Sequence, residues 1–307
     1  MGTPDFAVPT LESLIENGYE IVAVYTQRDK ESGRGRHVVA SPVKQVAMSR
    51  GIRVMQPDNL KGEETVEELA GLAPELIVVA AYGQILPRKV LSLPRFGCVN
   101  IHPSLLPKYR GSSPIASAIL QGDDVTGVTV MLLDAGMDTG PILKQVEVPI
   151  SAEDTTGSLT TKLAQIGARL LLETLPQWLE GRITPQPQDE SRASYTKQIA
   201  KEDGEMDWQL SAVELWRRVR AFDPWPGCYT RWEGKLLKII QAVSLDGGEA
   251  GEVGKVMALL QPSSAPVGVI TGDGILGLLR VQLEGKKEMA IAEFLRGQRD
   301  FIGSSLA

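Results

Sequence analysis

A chain of 307 residues, 43% hydrophobic and 23% charged, is long enough for one large or two medium globular domains. Its net charge of −6 argues against bulk attraction to nucleic acid, so any such contact rests on local patches. There is no apolar run of about 20 residues to span a membrane and no charged-then-apolar leader, and two cysteines with two histidines argue for reduced core thiols in the cytoplasm rather than a structural zinc site.

In chain order, Thr3 or Asp5 suits the cap of a helix over 8–16, and the stretch Tyr-Glu-Ile-Val-Ala-Val-Tyr over 19–25 reads as a buried-type strand. Residues 26–41 make a glycine-containing basic loop; between 33 and 57 stand Arg34, Arg36, Lys44, Arg50 and Arg53, with no acid among them. A short helix over 42–50, a short strand over 53–55 and a helix over 63–70 lead to residues 76–81. The unbroken apolar character of 76–81 is that of a parallel strand. The chain then turns through Tyr82-Gly83-Gln84-Ile85-Leu86-Pro87 into a short helix reaching Leu91.

Cys98, Val99 and Ile101 mark the next strand, which breaks at Pro103 into a loop framed by Pro103, Pro107 and Gly111. Period-two alternation puts Asn100 and His102 on one face at the strand's carboxyl end, where open α/β sheets place chemistry. An imidazole titrates near neutrality, which makes His102 a candidate proton carrier; the plainer alternative is a hydrogen-bonded structural histidine. His37, in the basic loop, reads as a surface residue. A helix over 113–121 begun by Pro114, a strand over 125–133 and the acidic loop Asp134-Ala135-Gly136-Met137-Asp138-Thr139-Gly140 follow. Either aspartate can act as the acid or cap the turn, and the residues alone do not separate them.

After a strand over 142–148 comes a long helix over 156–180. Strands alternating with helices thus specify an α/β, Rossmann-like, mostly parallel sheet in a catalytic domain of residues 1–181. Residues 182–204, with Pro185, Pro187 and no sustained periodicity, read as a linker. From 205 to 307 a helix over 212–221 and the turn Asp223-Pro224-Trp225-Pro226-Gly227 come first. Short strands over 228–232, 236–244, 251–259, 268–271, 275–283 and 288–290 then predict a small OB-like β-barrel.

Asn100-x-His102-x-Ser104-Leu105-Leu106-Pro107 together with Asp134-x-Gly136-x-Asp138-x-Gly140 resembles the 10-formyltetrahydrofolate-dependent formyltransferase family, and the likeness extends over nearly the whole chain. Four further stretches resemble the members of that family that act on transfer RNA. They are Gly2-Thr3-Pro4-Asp5-Phe6, Gly33-Arg34-Gly35-Arg36 with Ser41-Pro42-Val43-Lys44, Phe222-Asp223-Pro224-Trp225-Pro226, and Thr271-Gly272-Asp273-Gly274. The resemblance implies that a formyl group passes from N10 of the co-substrate 10-formyltetrahydrofolate to the α-amino group of initiator methionyl-tRNA, with no metal and no covalent enzyme intermediate.

It implies Asn100 as the oxyanion donor, His102 as the proton acceptor, and Asp138, rather than Asp134, as the carboxylate that orients His102 and stabilises its charged form by raising its pKa. Ser104, Leu105, Leu106 and Pro107 are implied folate contacts. Tyr82, Gly83, Ile85, Leu86, Asp134 and Gly136 would form the wall of the pterin pocket, although Tyr82 suits the core as well. Arg34, Arg36 and Lys44 match the family's tRNA-contacting insertion, and Lys235, Lys238, Lys286 and Lys287 are expected along a groove for the tRNA stem.

In the family, Gly-Thr-Pro-Asp-Phe follows a first strand at the middle of the sheet. No such strand precedes it here, so a shortened or mis-assigned start with two uncovered strand edges is expected. The protein is expected to be a cytoplasmic monomer. The nearest rival is the same fold with another acceptor: glycinamide ribonucleotide, an amino sugar, or water in a formyltetrahydrofolate hydrolase. A binding module that has lost activity stands against the intact Asn100, His102 and Asp138. A dinucleotide oxidoreductase has no support, because Gly2-Thr3-Pro4 is not Gly-x-Gly-x-x-Gly.

Overall fold

The computed structural model describes residues 1–32, 37–245, 247, 251–259 and 265–307, the side chains of 30–32 and 37 excepted. They fall into two units: Met1–Pro114, Val125–Pro149 and Ser158–Lys197 make one, and Ile115–Asp124, Ile150–Gly157 and Gln198–Ala307 the other.

The chain opens with helix α1 (Val8–Glu16), whose first turn holds Pro9 where a missing N–H costs nothing, and the short strand β1 (Val24–Tyr25). Strands β2 (Lys30–Ser32) and β3 (His37–Val39) pair antiparallel. Helix α2 (Pro42–Ser49) is capped by Ser41, whose Oγ accepts the Lys44 N–H. Next come β4 (Val54–Met55), α3 (Glu63–Gly71), β5 (Ile77–Val79), α4 (Arg88–Leu91), β6 (Cys98–His102) and β7 (Arg110–Gly111). The elements α5 (Pro114–Gln121), β8 (Val125–Leu132), β9 (Ile142–Pro149), α6 (Thr156–Leu179) and β10 (Tyr195–Thr196) follow.

The central sheet runs β5-β6-β8-β9, parallel between β5 and β6 and antiparallel from β6 through β8 to β9. Val79 lies opposite Asn100, and Thr129 opposite His102. The strand expected over 19–25 is realised only as β1, because its partner β4 offers a ladder of two residues. Gly2 N donates to Tyr25 O at 3.0 Å and Ala80 N donates to Met1 O at 2.9 Å, so Met1 and Gly2 touch the ends of β1 and β5. Beside them, Ile21, Val22, Ala23, Ile77 and Val78 line a cavity of about 130 Å³.

Helix α6 buries Leu159, Leu163, Leu170, Leu171 and Leu175 at helical spacing. Gly167 on that helix lies so close to β6 that a Cβ there would stand 2.8 Å from Ile101 Cγ2. Glycine therefore sets how near the helix comes to the strand that carries the candidate site. Gly167→Val is expected to destabilise the protein by about 1–3 kcal/mol through overpacking. Urea unfolding reads this as a lower midpoint at an unchanged slope.

In the second unit, α7 (Ala212–Ala221) starts with a reciprocal cap: Ser211 Oγ accepts the Glu214 N–H, and Glu214 Oε2 accepts the Ser211 N–H. Strands β11 (Cys228–Trp232), β12 (Lys235–Leu245), β13 (Val256–Ala258), β14 (Val267–Ile270), β15 (Ile275–Leu283) and β16 (Met289–Ala290) precede α8 (Ile291–Gly297). All are antiparallel, in the order β11-β12-β15-β14-β13, with β16 also on β15. A register shift at Gln241 bends the long β12, and the sheet curls into a half-barrel of the OB-like kind. The strand expected over 251–259 is shorter, since only Val256–Ala258 meets β14. Trp232, Phe294 and Phe301 pack edge to face with centroids 5.0–5.8 Å apart. Among the described residues, no helix is long and apolar enough to cross a membrane.

Candidate active site

Strand β6 is buried along its whole length and ends where Pro103 can no longer donate to a ladder. Its alternation brings Asn100 and His102 to one face, as the sequence predicts. No side-chain partner holds the Asn100 amide among the described residues, so its N–H groups are available to an incoming oxygen.

His102 is 4% exposed, and its Nε2 lies 3.0 Å from Tyr109 O. A carbonyl only accepts, so the neutral ring carries its proton on Nε2 and keeps a lone pair on Nδ1. Nδ1 faces Asp138 Oδ2 at 3.7 Å, too long for a direct hydrogen bond and near enough for charge pairing once the ring is protonated. Burial pushes the His102 pKa down; the Asp138 carboxylate and the Tyr109 carbonyl work the other way without reversing it. The expected upward pull of the carboxylate is present, but desolvation outweighs it, and the imidazole is neutral at pH 7.

Geometry also separates the two aspartates. Asp138 Oδ2 accepts the Gly111 N–H at 2.8 Å and points at His102. Asp134 is exposed, and its Oδ1 accepts the Gly136 N–H at 3.0 Å and the Thr139 hydroxyl at 2.7 Å, which closes a turn. The acidic loop takes an unexpected path. Because β8 is antiparallel to β6, the chain leaves β8 beside Cys98, where Leu133 N donates to Cys98 O, and must double back to bring Asp138 to His102. Tyr109 and Asp138 both sit in the left-handed region, at φ 61° and 55°, where side chains other than glycine are strained.

The loop after β6 is pinned from several sides. Thr129 Oγ1 donates to Ser104 O and accepts the Leu106 N–H; Gln145 Nε2 donates to Leu106 O; Ser194 N donates to Pro107 O. Ser104 is fully buried and its hydroxyl donates to Lys108 O, so its side chain shapes the loop. Leu106 is buried, while Leu105 and Pro107 are half-buried. Residues 82–86 leave β5 on the same edge as His102, since β5 and β6 are parallel. Of them, Tyr82 and Leu86 belong to the core with Leu60, Val79 and Val90, and burial lifts the Tyr82 phenol to about 12. Gly83 is exposed, and Ile85 presents an apolar side chain 80% open to solvent.

Arg34 and Arg36 lie outside the described residues. Lys44 is not a free cation: its Nζ donates to Asp29 Oδ2 at 2.5 Å and Gln56 Oε1 at 2.7 Å. Lys235, Lys286 and Lys287 are exposed at the end of the sheet where β12 begins and β15 finishes, with Lys238 half-buried three residues along β12. Alternation along β12 sends Lys235 and Lys238 to opposite faces, so they do not line one wall of a groove.

Sequence reasoning missed the segment between Gln186 and Thr196. Gln186 bridges to Ile142 at the start of β9, β10 pairs parallel with β7, and Gln188, Glu190 and Tyr195 close on Arg110. A linker-like composition hides these contacts, because every partner lies far away in the chain.

A buried amide and imidazole on one strand face, with a carboxylate brought to the imidazole from another loop, suit acyl transfer to an amine. Residues 1–175 match the formyl transferase family and residues 198–299 the formyl transferase C-terminal domain; the chain belongs to the formyl transferase family. It is 49% identical over 300 residues to the methionyl-tRNA formyltransferase of Roseiflexus sp. (strain RS-1), covering 97% of this chain and 91% of that one. It is 44% identical over 301 residues to the methionyl-tRNA formyltransferase of Marinobacter nauticus (strain ATCC 700491 / DSM 11845 / VT8), covering 98% and 96%. The fold is also that of WlaRD, a sugar 3N-formyl transferase solved in the presence of dTDP and 5-N-formyl-THF (TM-score 0.65, 19% identity, 93% of this chain and 97% of that one).

Proposed function

We propose that the protein transfers the formyl group of 10-formyltetrahydrofolate to the α-amino group of initiator methionyl-tRNA, giving formylmethionyl-tRNA and tetrahydrofolate. The observation that carries this reading is the similarity to methionyl-tRNA formyltransferases through both units, over 97% of the chain.

The amine nitrogen attacks the formyl carbon, a new N–C bond forms, and the carbonyl oxygen takes up the negative charge. An N–H of Asn100 stabilises that oxyanion. The attacking nitrogen gives its proton to the free Nδ1 of His102, and the imidazolium then sits between Asp138 and the Tyr109 carbonyl. That proton goes on to N10 as the N10–carbon bond breaks, which regenerates the neutral ring. Ile85, Leu105, Pro107 and the exposed loop 134–137 supply the apolar and backbone surface for a flat ligand. Residues 1–181, together with the segment 186–196 that packs on them, act as the catalytic domain and 205–307 as the tRNA-binding domain. Arg34 and Arg36, with the lysines at the end of the second unit's sheet, meet the tRNA phosphates. The enzyme works as a cytoplasmic monomer.

The test is transfer of labelled formyl from 10-formyltetrahydrofolate onto initiator and elongator methionyl-tRNA, with glycinamide ribonucleotide as a competing acceptor. Label is expected on the initiator tRNA alone. Label on glycinamide ribonucleotide, or on neither tRNA, overturns the proposed acceptor.

A further inference from the structure

We propose that Arg110, acting through Gln188, is a positioning residue that holds Asp138 within reach of His102, and that the strap 186–196 is thereby part of the active site. The inference rests on the formyl-transfer reading and adds a residue outside its three reacting groups.

The Arg110 side chain is fully buried, and all its donors are used. Nε and Nη2 donate to Gln188 Oε1 at 3.1 and 2.9 Å; Nη1 and Nη2 donate to Glu190 Oε2 and Oε1 at 2.9 and 2.6 Å; Nη1 also donates to Tyr195 Oη at 2.9 Å. The five N–H groups of a guanidinium are thus all spoken for. Two of them fall on one oxygen of Gln188, which fixes the orientation of its amide. Nε2 must then point away from Arg110, and it donates to Asp138 O at 2.8 Å and Gly140 O at 2.7 Å. Those two carbonyls belong to the strained residue Asp138 itself and to the residue two further along the loop. On the other side, Gly111, the residue after Arg110, gives its N–H to the Asp138 carboxylate. Asp138 is therefore held by its carboxylate through the backbone of one short strand, and by its main chain through the Arg110 side chain of that strand acting through Gln188. A structural salt bridge would need only Glu190, whose side chain is 69% exposed; the doubled bond to Gln188 serves the loop.

The chain has two histidines, so His102 can be followed by imidazole NMR against a His37→Ala reference, with no substrate present. In Gln188→Ala and the near-isosteric Gln188→Met, Asp138 is expected to drift from the ring. The His102 titration should then move to lower pH, toward its position in Asp138→Asn, while kcat falls by as much as about a hundredfold and KM for tRNA holds. Arg110→Lys, which keeps the charge and loses the fork, should move the titration the same way. If the Gln188 variants lower Tm but titrate as the parent while Asp138→Asn shifts, the residue is structural and the proposal is wrong. If Asp138→Asn itself leaves His102 unmoved, the pairing beneath the proposal is absent. Because NMR reads the protein without tRNA or folate, a shifted titration with no transfer to initiator tRNA would sink the proposed acceptor and leave the positioning role standing.

Discussion

His102→Ala is expected to abolish most formyl transfer, lowering kcat/KM by about 10²–10⁴-fold, the usual range for a lost general base. The size follows from the ring's setting. It is buried, its Nε2 proton is engaged by Tyr109 O, and Nδ1 is the one free proton acceptor it offers. The wild-type pH profile supplies the sign. Burial holds the pKa below its ordinary 6.5, so the reactive neutral form persists through neutrality and kcat/KM falls only as pH drops below that value. The Ala variant should lose that acidic limb along with the rate, while still binding tRNA in a filter or gel-shift measurement. A variant that keeps both rate and limb would assign the proton transfer elsewhere.

Asn100→Ala is expected to reduce kcat by about 10²–10³-fold, the loss typical of one oxyanion donor and equivalent to roughly 2.7–4 kcal/mol. Asn100 is 8% exposed, in the middle of a strand, so the donor is fixed before substrate arrives and works in surroundings poor in water. Single-turnover kinetics separate the effect from binding: the chemical step slows while the apparent affinity for both substrates stays near the parent value. An equal loss in affinity and no loss in the chemical step would make Asn100 a binding residue.

Much of this site was legible from residues alone. Asn100 and His102 share a face because β6 is regular, and the break at Pro103 marks where the strand must stop. The choice between Asp134 and Asp138 was not legible by spacing, since both stand in one turn; it needed the Thr139 and Gly136 bonds that occupy Asp134. The direction of β8 was hidden as well, because a strand of eight residues reads the same in sequence whichever way it pairs. Lys44 looked like part of a basic patch, and only Asp29 and Gln56, brought beside it by the fold, show that it is tied down. The strap was the largest miss: Gln188 meets Arg110 across 78 residues and Asp138 across 50, separations at which composition carries no signal.

That strap bears on where a minimal catalytic fragment can end. The family match stops at residue 175, inside α6, and the amide, imidazole and carboxylate all precede it. A fragment cut there would contain each reacting group and still lack the tether that seats the carboxylate, which reaches Thr196. The shortest piece able to hold the geometry therefore runs to Lys197, the last residue of the first unit, and what looks like spacer in the sequence is the final component of that unit.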